Sequence, residues 1–400
     1  MAGISNEELV HKATIIADDL ASAGKLNPAQ SDKFIDYVIE ETILKDNART
    51  VRFRNESLDI DKIGVGSRAA VPKAEAADPG VRRGISTSKV TLTPSEIMVP
   101  FEIGDQFREI NIEGETVSDT IVRLMATSLA NDMEELYING NTLGVAALQG
   151  DLLDGGSTTQ YVKDTYLALQ NGWFNLAESA NIVDASGQNI GLSIFSQAIR
   201  AMPTKFRRNM ANLRWILSPD LWQLYLEKLS TRATSLGDSA VAGGGGVPGP
   251  FGITAVPAPL LPFQQTIVEH LVLNGTTVTS LANAPVSDVV VTPSTLASVP
   301  TTPYIVTTDY LLSEANGTIA RVGGAAIGDG DTVKVTYKAQ PQLLLTHFSN
   351  LIVGIGRDIR IEKDRDIYKG VDQYAITAKI AAQVEELTAI VKVRNIGLGV

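Results

Sequence analysis

Between Ala69 and Ser88 the chain passes through Pro72, Pro79, Gly80 and Gly84 and carries few large apolar side chains. Such a stretch cannot bury a core of its own. The segments on either side alternate as strands do, Val51-Arg52-Phe53 upstream and Lys89-Val90-Thr91-Leu92-Thr93 on the return. The spacing therefore predicts a long two-stranded excursion rather than a linker. A lone two-stranded ribbon is marginal in water and needs something to lie on. This feature rules out one self-contained globule: part of the surface must be satisfied by the rest of the chain or by another subunit.

The remaining sequence is rich enough to supply a body for that ribbon. At 400 residues and 44% hydrophobic, the chain has material for two or three packed domains. Its 34 Lys+Arg against 45 Asp+Glu give a net charge of -11, the wrong sign for gripping nucleic acid over the whole surface, although a local basic patch stays open. The absence of Cys excludes disulfides, thiolate metal sites and a Cys nucleophile. The three histidines, His11, His270 and His347, are far apart in sequence and read as core or surface imidazoles. No stretch reaches the roughly 18 apolar residues of a membrane span, and the N-terminus lacks the pattern of a secretory signal, so the expectation is a protein made and kept in cytoplasm. Asn274-Gly275-Thr276 and Asn316-Gly317-Thr318 are accordingly read as hairpin turns rather than glycosylation sites.

Local signals divide the chain. Ser5 with Glu8 makes a capping box ahead of the stripe Leu9, Ala13, Ile16, Leu20, and Asn27-Pro28 opens a second stripe through Phe34, Ile35, Val38 and Ile39 toward Leu44. Two short amphipathic helices are expected there. After a strand at Ile97–Ile103, Thr116 and Asp119 start the clearest helix, with Val117, Ile121, Leu124, Met125, Leu129, Met133 and Leu136 on one stripe and Asn139-Gly140 as its stop. Further helices are expected over Lys163–Leu169, Ser193–Met202 and, capped by Ser218-Pro219-Asp220, Leu221–Leu229; strands are expected at Leu213–Leu217 and Phe251–Val256. From about Gln264 to Ala339 the chain becomes Val- and Thr-rich, with turn pairs at Asn274-Gly275, Asn316-Gly317 and Gly328-Asp329-Gly330, which marks an inserted all-β unit. The last stretch returns to strands at Leu351–Ile355, Ile359–Ile361, Ala375–Ala382 and Ala389–Val393.

Motifs that carry chemistry are missing. There is no phosphate-binding loop, G-x-S-x-G or H-E-x-x-H, and Gly64-Val-Gly66 and Gly354-Ile-Gly356 lack the third glycine of a dinucleotide fingerprint. Asp59-Ile-Asp61 begins like a calcium loop, but Ile63 and Ala70 stand where ligands are required. Asp364 with Asp366, and Glu385 with Glu386, are paired carboxylates beside Lys363, Arg365 and Lys369, so a salt-bridged face is expected rather than an acid–base dyad. The reading is a non-enzyme with no cofactor and no metal. The basic clusters Arg49/Arg52/Arg54, Arg82/Arg83 and Lys205/Arg207/Arg208 are read first as partners for a neighbouring subunit's carboxylates and second as phosphate contacts.

The order of these elements resembles the major capsid proteins of tailed bacteriophages with the Hong Kong 97-type fold. The resemblance is carried by the return Lys89-Val-Thr-Leu-Thr-Pro-Ser-Glu-Ile-Met-Val-Pro-Phe-Glu-Ile103 into Val117–Asn139, by Arg214-Trp-Ile-Leu-Ser-Pro-Asp-Leu-Trp222 with Phe251-Gly-Ile-Thr-Ala-Val-Pro257, and by Leu351–Glu362 through Ala389–Asn395. It implies an α+β fold with an N-terminal arm and entry to the peripheral domain (1–65), an extended two-stranded loop (66–97), a peripheral domain (98–175) with a spine helix (116–139), and an axial domain (176–263). An inserted immunoglobulin-like β-sandwich (264–339) and a closing return through both domains (340–400) complete it. It further implies a shell of hexamers and pentamers enclosing double-stranded DNA without sequence specificity. The implied partners are a separate scaffolding protein, a portal and a decoration protein, with a location in the virion after assembly in host cytoplasm and no membrane. Inter-subunit contacts are expected at Arg52, Arg54, Arg82, Arg83, Lys89, Asp364, Arg365 and Asp366. The alternatives are an encapsulin-type nanocompartment shell and, from another class, a surface adhesin built on β modules.

Overall fold

The computed structural model describes residues 14–15, 44, 47–53, 57–64, 86–110, 117–151, 160–231, 249–295 and 301–398. Two five-stranded sheets make the main body. The first contains β1 (Thr14–Ile15), β2 (Arg49–Arg52), β5 (Ser95–Gly104), β18 (Leu351–Asp366) and β19 (Val371–Val384), in the spatial order β1-β5-β19-β18-β2. Short helix α1 (Asp105–Ile110) follows β5, and α2 (Val117–Asn139) crosses the sheet as the expected spine, about 35 Å long at about 1.5 Å per residue. Its stripe is buried at Val117, Ile121, Leu129, Met133, Leu136 and Tyr137, in one core with Ile97, Phe101 and Ile103 of β5, Ile376 and Ile380 of β19, and Trp173 and Phe174 of α3 (Trp173–Leu176). The residue just past its end has to be glycine, because a Cβ on Gly140 would stand 2.5 Å from the Gln170 carbonyl oxygen and 2.6 Å from that of Leu136.

The second sheet contains β8 (Asn181–Asp184), β9 (Leu213–Leu217), β10 (Thr254–Pro257), β17 (Leu343–His347) and β20 (Val391–Arg394), ordered β10-β9-β17-β20-β8. Helices α4 (Leu192–Ala201) and α5 (Pro219–Ser230) cover it, with Ser218 accepting a hydrogen bond from the Leu221 amide as the α5 N-cap. Phe195 lies edge-on to Trp215 at 4.8 Å and to Tyr225 at 5.1 Å, an aromatic triad at the centre of this core.

Between β10 and β17 the chain builds two three-stranded sheets. One orders β11 (Thr266–Leu273), β16 (Asp331–Ala339) and β13 (Val286–Pro293) as β11-β16-β13. The other orders β12 (Thr279–Ser280), β15 (Thr318–Arg321) and β14 (Tyr310–Ser313) as β12-β15-β14. Both sheets feed one apolar cluster that includes Leu273, Val291, Ile319, Val333, Val335 and Tyr337, separate from the two main cores. Two sheets over a shared core is as much of the immunoglobulin-like expectation as the described residues carry. The predicted turns are present: Gly275, Gly317 and Gly330 all have positive φ, at 52°, 56° and 79°.

Several expectations are corrected. Thr14–Ile15 lies on the stripe read as a helix, yet it is a strand paired parallel with Glu102–Ile103; the other residues of the two expected N-terminal helices, Leu44 apart, lie outside the described residues. The ribbon partner of Ser86–Leu92 (β4) is Leu58–Gly64 (β3), whereas Val51-Arg52 belongs to β2 on the main sheet. The helix expected over Lys163–Leu169 is instead the end of β7 (Tyr161–Lys163), paired with β6 (Ala146–Leu148), and a single 3-10 turn. Leu351–Ile355 and Ile359–Ile361 are one strand, and Leu343–His347 is a strand without a counterpart in the sequence reading.

Candidate functional site

Among the described residues no group of His, Asp or Glu is arranged to hold a metal, and the paired carboxylates serve the fold. Asp364 accepts the Arg365 amide at 2.8 Å; Asp366 accepts the amides of Tyr368 at 3.0 Å and Lys369 at 3.2 Å, closing the turn between β18 and β19. Glu385 pairs with Arg49 at 2.8 Å, and Glu386 with Lys62 at 3.4 Å while also accepting the Thr388 hydroxyl, contacts that hold its carboxyl below the usual range. His347 places Nε2 3.2 Å from the Phe206 carbonyl oxygen, and His270 sits on β11, its pKa pushed down by burial and by Lys334 and Lys163. His11 lies outside the described residues.

What the surface offers instead is extended structure. In the β3–β4 ribbon one face carries Leu58, Ile60, Val90 and Leu92, which pack with Phe53, Ile352 and Ala381 of the main sheet. Leu92 can reach that sheet because position 354 is glycine: a Cβ on Gly354 would lie 2.7 Å from Leu92 Cδ2. Lys62 ties the ribbon down further by donating to the Glu385 carbonyl. The opposite face is polar. Lys89 pairs with Asp59 at 2.9 Å and the Thr91 hydroxyl donates to Asp59 at 2.6 Å, which lowers the Asp59 pKa and raises that of Lys89. The ribbon thus begins on its own subunit's core, a stronger attachment than its composition announced.

The β18–β19 hairpin behaves differently along its length. Its inner half is buried, but from Arg360 to Lys369 nearly every residue is exposed. Here charge joins the strands: Lys363 pairs with Asp372 at 3.0 Å, and Arg365 with both Asp372 at 3.3 Å and Asp105 of α1 at 2.8 Å, while Arg360 pairs with Glu362 along β18 itself at 2.8 Å. Asp372 is buried and is neutralised by two cations, the arrangement a desolvated carboxylate requires. Gly370, at φ 66°, completes the turn, and its carbonyl accepts the Asp105 amide at 3.0 Å. The result is a braced finger whose end carries Ile367 at 80% and Tyr368 at 103% exposure. Solitary exposed apolar residues are ordinary, but a large aliphatic and an aromatic side by side on a held turn have the make-up of an interface anchor.

Of the expected contact residues, Asp364, Arg365 and Asp366 are gathered at this finger, Lys89 is on the ribbon, and Arg52 ends β2 with an exposed side chain. Arg54, Arg82 and Arg83 lie outside the described residues. The sequence reading missed Asp105, Asp372 and the Ile367-Tyr368 pair, since their meaning depends on a strand register that no local signal reports. It also missed two buried lysines. Lys392 pairs with Glu178 at 2.5 Å and donates to the Phe174 carbonyl at 3.0 Å, while Lys334 donates to the Leu143 carbonyl at 3.0 Å and so seats the sandwich on the loop before β6. Thr301 and Tyr161 of β7 exchange backbone hydrogen bonds at 2.8 and 3.0 Å in the same contact.

No family model matches the sequence. The chain is 28% identical over 391 residues to a protein of Bacillus subtilis (strain 168) named as a prophage capsid protein, YqbE, an alignment that covers 97% of this chain and 98% of that one. Among solved structures it is similar to the capsid of a native GTA particle, at TM-score 0.49 and 13% identity over 94% of this chain and 98% of the other. It is also similar to the mature capsid of bacteriophage PhiM1, at 0.46 and 10% over 89% and 88%. A third similarity is to the SrpI encapsulin of Synechococcus elongatus PCC 7942, at 0.49 and 7% over 96% and 97%.

Proposed function

We propose that this chain is the major capsid protein of a tailed bacteriophage or prophage, a structural protein of the Hong Kong 97 type that assembles into the shell around the double-stranded DNA genome. The observation that carries the reading is similarity along almost the whole length to a prophage capsid protein, 28% over 97% of the chain and 98% of that protein. The physical reading agrees. The described residues hold no constellation for catalysis, while the chain extends a ribbon and a charged finger beyond its cores, and surfaces of that kind are completed by neighbours.

In this reading the sheet with α2 is the peripheral domain, the sheet with α4 and α5 the axial domain, 264–339 the insertion and the β3–β4 ribbon the root of the extended loop at 66–97. The finger is one subunit contact: Asp364, Arg365 and Asp366 hold it, and Ile367 and Tyr368 enter the neighbour. Arg52, Arg54, Lys89 and the Arg82-Arg83 segment are further contacts, made to carboxylates of adjacent copies, which fix register and partner choice. The assembled shell is of hexamers and pentamers, with a scaffolding protein, a portal and a decoration protein as partners, and its place is the virion after assembly in host cytoplasm. The chain acts as a non-enzyme without cofactor.

Sedimentation and negative-stain imaging of the purified protein, alone and co-expressed with its neighbouring gene products, test the proposal. Closed shells or sheets of capsomers are expected. A stable monomer under every condition, with no particles, overturns it.

A further inference from the structure

Charge is unevenly distributed along this acidic chain. Residues 185–219 contain no Asp or Glu, yet carry Arg200, Lys205, Arg207, Arg208 and Arg214. These cations lie on the connection from α4 into the start of β9, an inner strand, and so line the end-on edge of the second sheet. Arg200 lies in the last turn of α4, Lys205 to Arg208 lead into a 3-10 segment at Arg207–Asn212, and Arg214 is the second residue of β9. Arg200, Lys205 and Arg208 are exposed, as are Thr204, Asn209 and Asn212 among them.

Several cations elsewhere on the two main sheets are neutralised within the chain, Arg357 and Lys379 by Glu96, Lys363 by Asp372 and Arg394 by Asp184. None of the five at this edge is in an ion pair among the described residues. Arg214 donates to the carbonyls of Ala211 at 2.6 Å and Leu213 at 2.7 Å, and the Lys205 ammonium lies 4.5 Å from the centre of the Phe206 ring. Both contacts hold the side chains without cancelling their charge. The Phe206 carbonyl in turn meets His347 of β17, so the turn is fastened to the sheet.

We propose that this edge, residues 200–214, contacts the phosphate backbone of double-stranded DNA without reading its sequence; the proposal rests on the capsid reading and names where the subunit meets the genome. Arginine, lysine and exposed amide or hydroxyl donors on a held turn are the groups that bind phosphate oxygens. The exposed flank of α4 adds only Ser193 and Gln197 to Arg200, and Phe206, the one aromatic ring of the segment, is half-buried beside Lys205, so charge dominates this surface and the contact proposed is with the backbone. With a chain charge of -11 around it, such a patch holds DNA weakly and releases it readily as salt rises. An acidic face on a second copy fits less well. Asp220 and Glu227 on the exposed side of α5 offer two carboxylates to five cations, with Lys228 beside them.

The test is fluorescence anisotropy of a labelled duplex of about 25 base pairs with the full-length unassembled protein, over about 25 to 200 mM KCl. The expected result is binding indifferent to base sequence, with a slope of log affinity on log salt of about -3, one phosphate for each of the three exposed cations. Replacing Arg200, Lys205 and Arg208 together by Gln should weaken binding at the lowest salt by roughly tenfold or more and flatten the slope. A control replacing Lys338, Arg360 and Lys379 by Gln removes the same charge from ion-paired positions and should bind within about twofold of wild type. Arg208→Gln alone, on an exposed turn, guards against misfolding of the triple variant and should lower the slope by about one. Absence of wild-type binding, equal losses in patch and control variants, or unchanged DNA binding with altered self-association of the patch variant would each overturn the proposal. The last outcome would make the edge a contact between copies. Shell formation is scored separately, so failure of the capsid reading and failure of the DNA contact are distinguishable.

Discussion

The sandwich at 264–339 and the outer half of the β18–β19 hairpin, whose β19 side stays paired with β5 while its β18 side is a bare edge among the described residues, are stabilised by different means. The sandwich closes two sheets over its own apolar cluster and ties its buried tyrosine to polar neighbours. There Tyr337 donates to Glu269 and accepts from Asn283 at 3.0 Å. Beyond Arg360 the described residues on the β18 side of the hairpin form no apolar cluster of their own, whereas the β19 partner puts Tyr374, stacked on Phe101, and Ile376 into the main core. The finger is held by cross-strand ion pairs, a buried Asp372 between two cations and a capped turn, and it leaves Ile367 and Tyr368 uncovered. A region that buries its own apolar groups is complete as a fold, whereas one that presents them on a rigid support is complete only in an assembly.

That contrast can be broken most forcefully at Tyr337. Tyr337→Ala removes a fully buried aromatic and its hydrogen bonds to Glu269 and Asn283, and should cost about 3 to 5 kcal/mol, melting the sandwich ahead of the main body in calorimetry. A single transition that merely moves down would mean the sandwich shares the body's cooperativity. Lys334 offers a subtler test at the sandwich's seat. Burial, helped by Lys163 and opposed by Asp164, pushes its pKa down from 10.5 to about 8. The unfolded chain keeps a proton that the folded chain sheds between these values. The penalty for burying the charge is thus fully present below about pH 8 and is relieved as pH rises toward 10.5, a gain of order 2 kcal/mol. Lys334→Met should abolish that rise, as read from melting temperatures of the two proteins at pH 7.5 to 10.

Smaller effects are expected in the finger. Arg365→Ala takes one of two cations from Asp372 and the side-chain partner from Asp105, and should cost roughly 1 kcal/mol because Lys363 remains. Hydrogen exchange of the Val371 to Gln373 amides would locate the loss. The joint change Ile367→Ser and Tyr368→Ser should move subunit stability by less than about 0.5 kcal/mol, since both side chains are exposed, while sharply reducing the yield of closed shells. If the melting temperature falls and shells form normally, the finger belongs to the subunit and not to the assembly.

Much of this fold is written in local signals. The spine helix begins and ends where Thr116, Asp119 and Asn139-Gly140 place it, α5 starts at its Ser218-Pro219 cap, and the turns of the sandwich sit on their Asn-Gly and Gly-Asp-Gly pairs. Each is settled by groups within one turn of chain, so no distant partner is needed to read it. Strand partners are a different matter. Leu58–Gly64 carries Asp59, Asp61 and Lys62 and has no strand-like composition; it is a strand because Ser86–Leu92 lies beside it and Gly354 lets Leu92 down onto the sheet. Thr14–Ile15 lies on a helical stripe and yet pairs with β5, for tertiary pairing outweighs a propensity of a few tenths of a kcal/mol per residue.

By itself, then, the sequence determined the spine helix, α4, α5, and the turns and strand-rich character of 264–339, all of which depend on residue types and short spacings. Only the tertiary structure decided which charges meet. Asp105, Asp372 and Arg365 come together across 7 to 267 positions of chain because β5, β18 and β19 pair in one register, and a shift of one residue would turn every one of those side chains to the opposite face. The same register carries Ile367 and Tyr368 to the end of the finger, where local hydrophobicity alone would have placed them in a core.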